Sequence, residues 1–445
     1  MKKNNVIVAL ATPPLISALA LIRVSGDGVF SLTDQLFSKT LTGLTKRASF
    51  VGDIRFGGET IDNVVLIAYP HPNSFTGEDV VEICCHGSPL IANEIISAYI
   101  ALGARYAERG EFSSRGFFNG KMDLIEAESI NDLINATTKE AKKIAMMSYK
   151  GETSKLVEPI IKSLADLLAL VEVNIDYPEY EDIEEANEET IIARCEEIRE
   201  GLSVLIRRGE EGKIVRGGIN VALVGRPNVG KSSLLNAILH ENKAIVTDIP
   251  GTTRDVVEGE INLKGVPVRF LDTAGIRENT DVVESIGVER SLKTIDDADL
   301  VIVVLDASAP RSEEDEAILN RAKAKRHIVC YNKTDLAKPN EGVCVSALKG
   351  DISPLLDAIY QSLGLSEEVY ELPSLSNARE LGALRNIDLL LKEAVADSRA
   401  HAPIDLVAAD LMSAYNTARE LIGIGATNDL TDEIFSRFWS IRSKP

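Results

Sequence analysis

GRPNVGKS, residues 225–232, decides the fold. It fits G-x-x-x-x-G-K-[ST] and stands between a strand-like run, NVALVG (220–225), and a helix-like run, KSSLLNAIL (231–239). A glycine-rich turn in that setting lets backbone N–H groups point inward around phosphate oxygens. Asn228, Val229, Gly230, Lys231, Ser232 and Ser233 are therefore the first phosphate-binding candidates. Lys231 can reach the outer phosphates, and the Ser232 hydroxyl can ligate Mg²⁺.

Working outward, residues 217–365 alternate strand and helix: VVEGEINL, VPVRFLD, DLVIVVLD, HIVCYNK, VCVSAL and ISPLLDAIY follow the first two runs. That is the pattern of βαβ units on a mostly parallel sheet. IVTDIPGTTRD (245–255) supplies Thr247, Asp248, Ile249, Pro250, Gly251, Thr252 and Thr253. A threonine there can complete the Mg²⁺ shell when a γ-phosphate is present, with Thr253 as the candidate. LDTAGIRENT (271–280) supplies Asp272, Thr273, Ala274 and Gly275. Asp272 can support the metal through water, and the Gly275 N–H can see the γ-phosphate. Asn332, Lys333 and Asp335 of NKTD follow the strand HIVCY. A carboxylate at Asp335 can accept from both N1–H and the 2-amino group of guanine, donors that adenine does not offer in that arrangement. Ser346, Ala347 and Leu348 are placed to close over the base. Four elements in this order point to GTP. One part is missing: where a Ras-like site carries a glutamine that orients the attacking water, this chain has Ile276 and Arg277.

The flanks differ in pattern. Residues 1–120 mix short apolar runs with Gly and Pro turns, as an α/β or α+β domain would. Lys2, Lys3 and the apolar run after them mimic a secretory leader, but Pro13 and Pro14 interrupt it, and Val6–Leu10 reads as a buried strand. From Asp123 to about Arg208 the period is helical, with one apolar stripe from Leu124 to Met147 and a helix from about Ser154 to Val173. The acidic run YEDIEEANEE (180–189) reads as a solvated loop and helix start. A helical pattern returns after Pro373, from Ser376 to about Gly423. The chain therefore divides into 1–120, a helical part 121–215, a nucleotide domain 216–370 inserted into the helices, and a second helical part 371–445.

A net charge of −20 argues against a general nucleic-acid binder. Any RNA contact would be local, at Lys139, Lys142, Lys143, Lys150 and Lys155 or at Arg321, Lys323, Lys325 and Arg326, unless these are simply solvated helix faces. Five scattered cysteines without C-x-x-C spacing fit a reducing cytoplasm. Cys84-Cys85-His86 could be a metal or redox cluster, although buried thiols at a strand end are the commoner case.

The strings around the nucleotide domain carry a resemblance. ATPP (11–14), IRVSG (22–26), SFTGEDVVEICCHGS (74–88), GEFSSRGFFNGKMDLIEAES (110–129), NIDYPE (174–179), LSNAR (375–379) and DEIFSRF (432–438) are similar to the MnmE (TrmE) family of tRNA modification GTPases. The resemblance runs from about residue 9 to 438. It implies a multidomain α/β protein: an N-terminal tetrahydrofolate-binding-like domain, a discontinuous helical bundle, and an inserted Ras-like P-loop GTPase domain. It also implies that a potassium ion takes the place of an arginine finger, held by Asn228, Thr247, Ile249 and Thr252, and that Glu284 of DVVESIGVER (281–290) orients the water. Arg23, Glu82 and Lys121 match the positions that contact a 5,10-methylene- or 5-formyl-type tetrahydrofolate. The implied job is modification of C5 of the wobble uridine of certain tRNAs by a homodimer. It would join an FAD-dependent MnmG (GidA)-type partner in a heterotetramer. A GTP-regulated ribosome or RNA assembly factor without modification activity is the alternative. Two departures stand out: LISALAL (15–21) replaces a glycine-rich segment, and FWSIRSKP (438–445) puts Trp439 where the family has a cysteine.

Overall fold

Ile7–Leu10 of the opening apolar run form strand β1, as expected, with Ile7 and Val8 fully buried. The structure is a computed structural model and describes residues 6–176, 186–241, 257–271, 295–426, 431, 434 and 435. The chain forms two compact units, Met1–Asn131 with Ala418–Pro445, and Asp132–Thr417.

In the first unit β1 joins β2 (Leu19–Ser25), β3 (Ala48–Phe56), β4 (Glu59–Tyr69), β5 (Val80–His86) and β6 (Arg105–Tyr106) in a sheet of order β3-β4-β5-β2-β1-β6. All its pairings are antiparallel except β1 with β6. Strand residues alternate faces. Ala20, Ile22 and Val24 of β2 therefore turn into a core, while Leu19, Leu21 and Arg23 take the other face. Short helix α1 (Val29–Thr33) and α2 (Pro89–Ala101) cover the core side, α2 through Ile95, Ile96 and Tyr99. Proline at the first helical position starts α2 without losing a needed N–H. Helix α3 (Glu111–Phe118) follows, and α4 (Leu124–Asn135) leads the chain out of this unit.

The second unit opens with α5 (Lys139–Tyr149), α6 (Glu158–Asp176) and α7 (Glu188–Gly217). Its six-stranded sheet has the order β12-β11-β10-β7-β9-β8. The strands are β7 (Ile219–Val224), β8 (Val257–Leu263), β9 (Val266–Leu271), β10 (Leu300–Asp306), β11 (His327–Asn332) and β12 (Val343–Cys344). Every pairing is parallel except the β8–β9 hairpin, so the mostly parallel sheet expected from the sequence is present. Residues 300–305 of β10 are all buried, which is why the central strand reads as a continuous apolar run. Helices α8 (Lys231–Glu241), α9 (Glu313–Ala322) and α10 (Ser353–Leu363) accompany the strands, and α11 (Ala378–Arg399) and α12 (Ile404–Leu421) follow. Helices α7 and α11 run antiparallel: Arg199 Nε bonds Asp388 Oδ1 at 2.9 Å, and Arg385 Nη2 bonds Glu210 Oε1 at 2.7 Å.

Three helix expectations are corrected. The stripe from Leu124 to Met147 is not one helix. Thr138 adopts an extended backbone and caps α5 by accepting from Ala141 N at 3.1 Å, so α4 and α5 are separate. The helix read from Ser154 starts as a 3₁₀ turn, Ser154–Leu156, before α6. Helix α7 continues past Arg208 to Gly217, and its glycines Gly209 and Gly212 are buried within it. Its start agrees with the acidic run: Asn187 caps it by accepting from Thr190 N at 2.9 Å. Residues 180–185 of that run lie outside the described residues.

Candidate nucleotide site

In a parallel sheet, ligands bind at the carboxyl ends of the strands. Strands β7, β10 and β11 bring the phosphate loop, Asp306 and Asn332 to that edge. The loop's Val229 is buried in the core, and Lys231 begins α8, whose amino end favours anions. Lys231 Nζ donates to the carbonyls of Gly225 at 2.7 Å and Arg226 at 3.0 Å. Burial pushes its ammonium below the usual lysine range, and a polyanion in the loop would offset that cost.

NKTD is tied to the loop by side chains. Asn332 is 3% exposed; its Nδ2 donates to the Val229 carbonyl at 3.0 Å, and its Oδ1 accepts from Ala347 N at 3.1 Å. One buried amide thus joins the phosphate loop to the Ser-Ala-Leu turn. Gly230 must be glycine: φ is 93°, and a Cβ there would lie 2.4 Å from Asn332 Nδ2. Asn228 and Lys333 are both left-handed at φ 65°, an uncommon conformation for side-chain-bearing residues. They hold each other, because Lys333 Nζ donates to the Asn228 carbonyl at 2.9 Å and pairs with Asp306 Oδ2 at 2.6 Å. Burial raises Asp306, but hydrogen bonds from Lys333 and Ser308 outweigh it and leave the carboxyl below its ordinary range. Asp335 Oδ1 accepts from Ser346 Oγ at 2.6 Å, and that bond holds its carboxyl below the ordinary range. Leu348 is 87% exposed at the tip of the turn, and Ser232 and Ser233 are exposed at the start of α8.

The structure therefore brings Asn228, Val229, Gly230, Lys231, Asn332, Lys333, Asp335, Ser346 and Ala347 together. Thr247, Asp248, Ile249, Pro250, Gly251, Thr252, Thr253, Asp272, Thr273, Ala274, Gly275 and Glu284 lie outside the described residues, as does Trp439. Asp306 escaped the sequence reading. Its signal was a lone carboxylate closing an apolar strand, LVIVVLD.

The second candidate set lies in the N-terminal unit. Arg23 and Glu82 face each other across β2 and β5, with Arg23 Nη2 and Nε at 2.6 and 2.9 Å from Glu82 Oε1. Tyr69 Oη donates to Glu82 Oε2 at 3.0 Å; burial and the neighbouring Glu82 raise the tyrosine's pKa. The Arg23 guanidinium lies over the rings of Phe75 and Phe112, at 5.1 and 5.7 Å. The stem of Lys121 packs at the Gly77 turn, two residues from Phe75. Tyr69, Phe75 and Phe112 were not read from the sequence.

Cys85, Cys195 and Cys330 are buried, and desolvation pushes their thiols to about 11, 12 and 12. His86 Nδ1 is 2.7 Å from Asp62 Oδ1. Among the described residues no group of three or more His, Cys, Asp or Glu could hold a metal, and no helix is long and apolar enough to cross a membrane. The basic run 321–326 is engaged locally: Arg321 pairs with Asp296 at 2.8 Å, and Lys325 donates to the Ala298 carbonyl at 3.0 Å. Lys143 pairs with Glu371 at 2.6 Å, while Lys139, Lys142, Lys150 and Lys155 are exposed.

The chain is similar to known proteins along nearly its whole length. Residues 124–438 match the family model described as the MnmE helical domain, and residues 6–121 match that of the GTP-binding protein TrmE N-terminus. The chain is 40% identical to the tRNA modification GTPase MnmE of Levilactobacillus brevis, over 98% of this chain and 97% of that protein. It is 40% identical to the protein of that name from Thermotoga maritima, over 98% and 99%. For the Bacillus subtilis protein of that name the identity is 39%, again over 98% and 99%.

Proposed function

The chain belongs to the MnmE family of tRNA modification GTPases, and from that premise we propose that it binds and hydrolyses GTP with Mg²⁺ and K⁺ as part of a tRNA wobble-uridine-modifying complex. The observation that carries the GTP reading is Asn332, whose single buried amide locks the phosphate loop to the base-binding turn. Lys231 neutralises the outer phosphates, and backbone N–H groups of 228–233 surround them. Asp335 selects guanine by accepting from its two adjacent donors.

The residues present fit the ions. Ser232 is exposed beside Lys231, where its hydroxyl oxygen is open to a hard cation such as Mg²⁺; Thr253 would be the second ligand. Bound there, Mg²⁺ would supply charge neutralisation to the outer phosphates. The Asn228 side chain is exposed on its left-handed turn, and with Thr247, Ile249 and Thr252 it offers the oxygen-only donors that a hard cation takes. Glu284 aims the attacking water. In the N-terminal unit the carboxylate of Glu82 and the rings of Phe75 and Phe112 suit a flat, hydrogen-bonding pterin, with Arg23 and Lys121 beside it.

The proposed division of labour places folate binding and homodimerisation in 1–120, GTP hydrolysis in 216–370, and the linking helices in 121–215 and 371–445. An FAD-dependent MnmG-type partner would complete a heterotetramer that takes tRNA, in the cytoplasm. The assembly-factor alternative is not favoured, because the N-terminal and helical segments both match this family. Two measurements test the reading: GDP against ADP affinity for the purified chain, and mass analysis of wobble uridines in a strain lacking it. Guanine preference and loss of the modified uridine are expected. Equal affinity contradicts the nucleotide assignment, and normal uridine modification contradicts the modification role.

A further inference from the structure

At the leading edge of the phosphate loop, Arg226 lies beside a carboxylate that none of the roles above uses. Asp315, in the first turn of α9, is 2% exposed. Its Oδ2 closes a capping box, accepting from Ser312 N and Ser312 Oγ at 3.0 Å each, and lies 3.5 Å from Arg226 Nε. Its Oδ1 is buried and has no hydrogen-bond partner among the described residues. A buried carboxylate oxygen without a donor is costly. At 3.5 Å the arginine contact is a loose ion pair, too long for a hydrogen bond. A guanidinium carries paired N–H groups that match two carboxylate oxygens at once, so the partner that Oδ1 lacks is already alongside.

The backbone of Arg226 has a second tie: its carbonyl accepts from Lys231 Nζ at 3.0 Å. When phosphate enters the loop, Lys231 turns to the phosphate oxygens, and the loop's second residue loses that hold. We infer that Asp315 is a positioning residue for nucleotide binding. With phosphate in the loop, Arg226 closes onto both Asp315 oxygens and keeps the leading edge in its binding shape. The cap and the ion pair are then separable jobs of one carboxylate, the first needing only an acceptor and the second needing its charge. This inference rests on the GTP-binding reading.

The test uses the full chain with Mg²⁺ and a fluorescent GDP, and four variants: Asp315→Asn, Arg226→Gln, the double variant, and Ser312→Ala. Asparagine keeps an acceptor for the cap but removes the charge. Arg226 is partly exposed and, unlike Asp315, caps no helix, so its variant tests the pair even if Asp315→Asn folds poorly. Each single variant of the pair is expected to weaken GDP binding at least about tenfold, the lower end of the scale for one lost charge-assisted contact. The double variant is expected to lose no more than the weaker-binding single. Ser312→Ala is expected to lower the thermal midpoint while GDP affinity stays unchanged. If the parent binds GDP tightly and Arg226→Gln matches it, or if the two losses add, the inference is overturned. A parent that fails to bind GDP overturns the GTP-binding reading itself, and this inference with it.

Discussion

At Asp335 one carboxylate oxygen is engaged by the Ser346 hydroxyl, which orients the group and lowers its pKa. A carboxyl held below the ordinary carboxylate range by the Ser346 hydroxyl stays ionised at neutral and mildly acidic pH, so the preference for guanine over adenine should be flat from about pH 8 to about pH 5. Titration of the ratio of GDP to ADP affinity across that range checks this, because the phosphates of the two ligands titrate alike. Asp335→Asn puts an amide where two donors must be accepted. It should weaken GDP binding about 100-fold, the loss of charge-assisted bonds worth roughly 3 kcal/mol together, while xanthosine diphosphate improves relative to GDP. Equal GDP affinity in the variant would contradict base reading by this residue. At this scale the sequence was informative where a motif fixes both identity and spacing, as in 225–232 and 332–335. It was silent on partners distant in the chain. Nothing in NKTD says that Lys333 will reach back to the Asn228 carbonyl, or that Arg23 and Glu82, far apart in sequence, are register partners on adjacent strands.

At the scale of elements, α7 is the informative case. Two glycines usually weaken a helix, and the sequence pattern places the end of the helical stretch at about Arg208. The glycines are there for close approach: a Cβ on Gly209 would stand 2.2 Å from the Leu375 carbonyl oxygen and 2.7 Å from Leu381 Cδ2. The segment before α11 thus lies against α7, and the helix continues to the start of β7. Gly209→Ala should destabilise this unit by about 1–3 kcal/mol through overpacking despite alanine's better helix propensity. A thermal melt equal to or above that of the parent would contradict this contact. The break between α4 and α5 was legible in principle, since Thr138 is a good cap ahead of Lys139-Glu140-Ala141. Apolar periodicity alone bridged it, because the stripe kept its phase across the break.

For the whole molecule, stability in acid has an identifiable source in the N-terminal unit. Glu111 is 3% exposed. Burial alone would raise its pKa, but bonds from Arg105 Nη1 at 2.8 Å, Glu108 N at 2.8 Å and Arg115 Nη2 at 2.9 Å bring it below the usual glutamate range. The unfolded chain therefore takes up this proton at higher pH than the folded one. The stabilisation is complete above the ordinary glutamate range and is lost as pH falls through it toward the folded value. Glu111→Gln leaves two arginines short of a carboxylate and should cost roughly 3 kcal/mol at neutral pH, with a flatter acid-unfolding profile than the parent. A variant that melts like the parent at pH 7 would contradict that role. The mostly parallel nucleotide sheet was visible in the change of pattern along the chain, but the grouping of Ala418–Pro445 with the N-terminal unit was not. The charge chain through Glu111 was not, because it depends on α3 folding back beside Arg105.

The most direct measurement of how this chain completes its GTPase site is hydrolysis by the full protein in matched chloride salts of potassium, sodium, lithium and caesium. On the proposed reading a monovalent cation of potassium's size would supply the charge that an arginine finger worth roughly 10³–10⁵ gives elsewhere, so potassium should accelerate turnover at least tenfold over the smaller sodium ion, and Asn228→Ala should remove that difference. Equal rates in potassium and sodium for the parent protein would contradict the potassium-assisted mechanism.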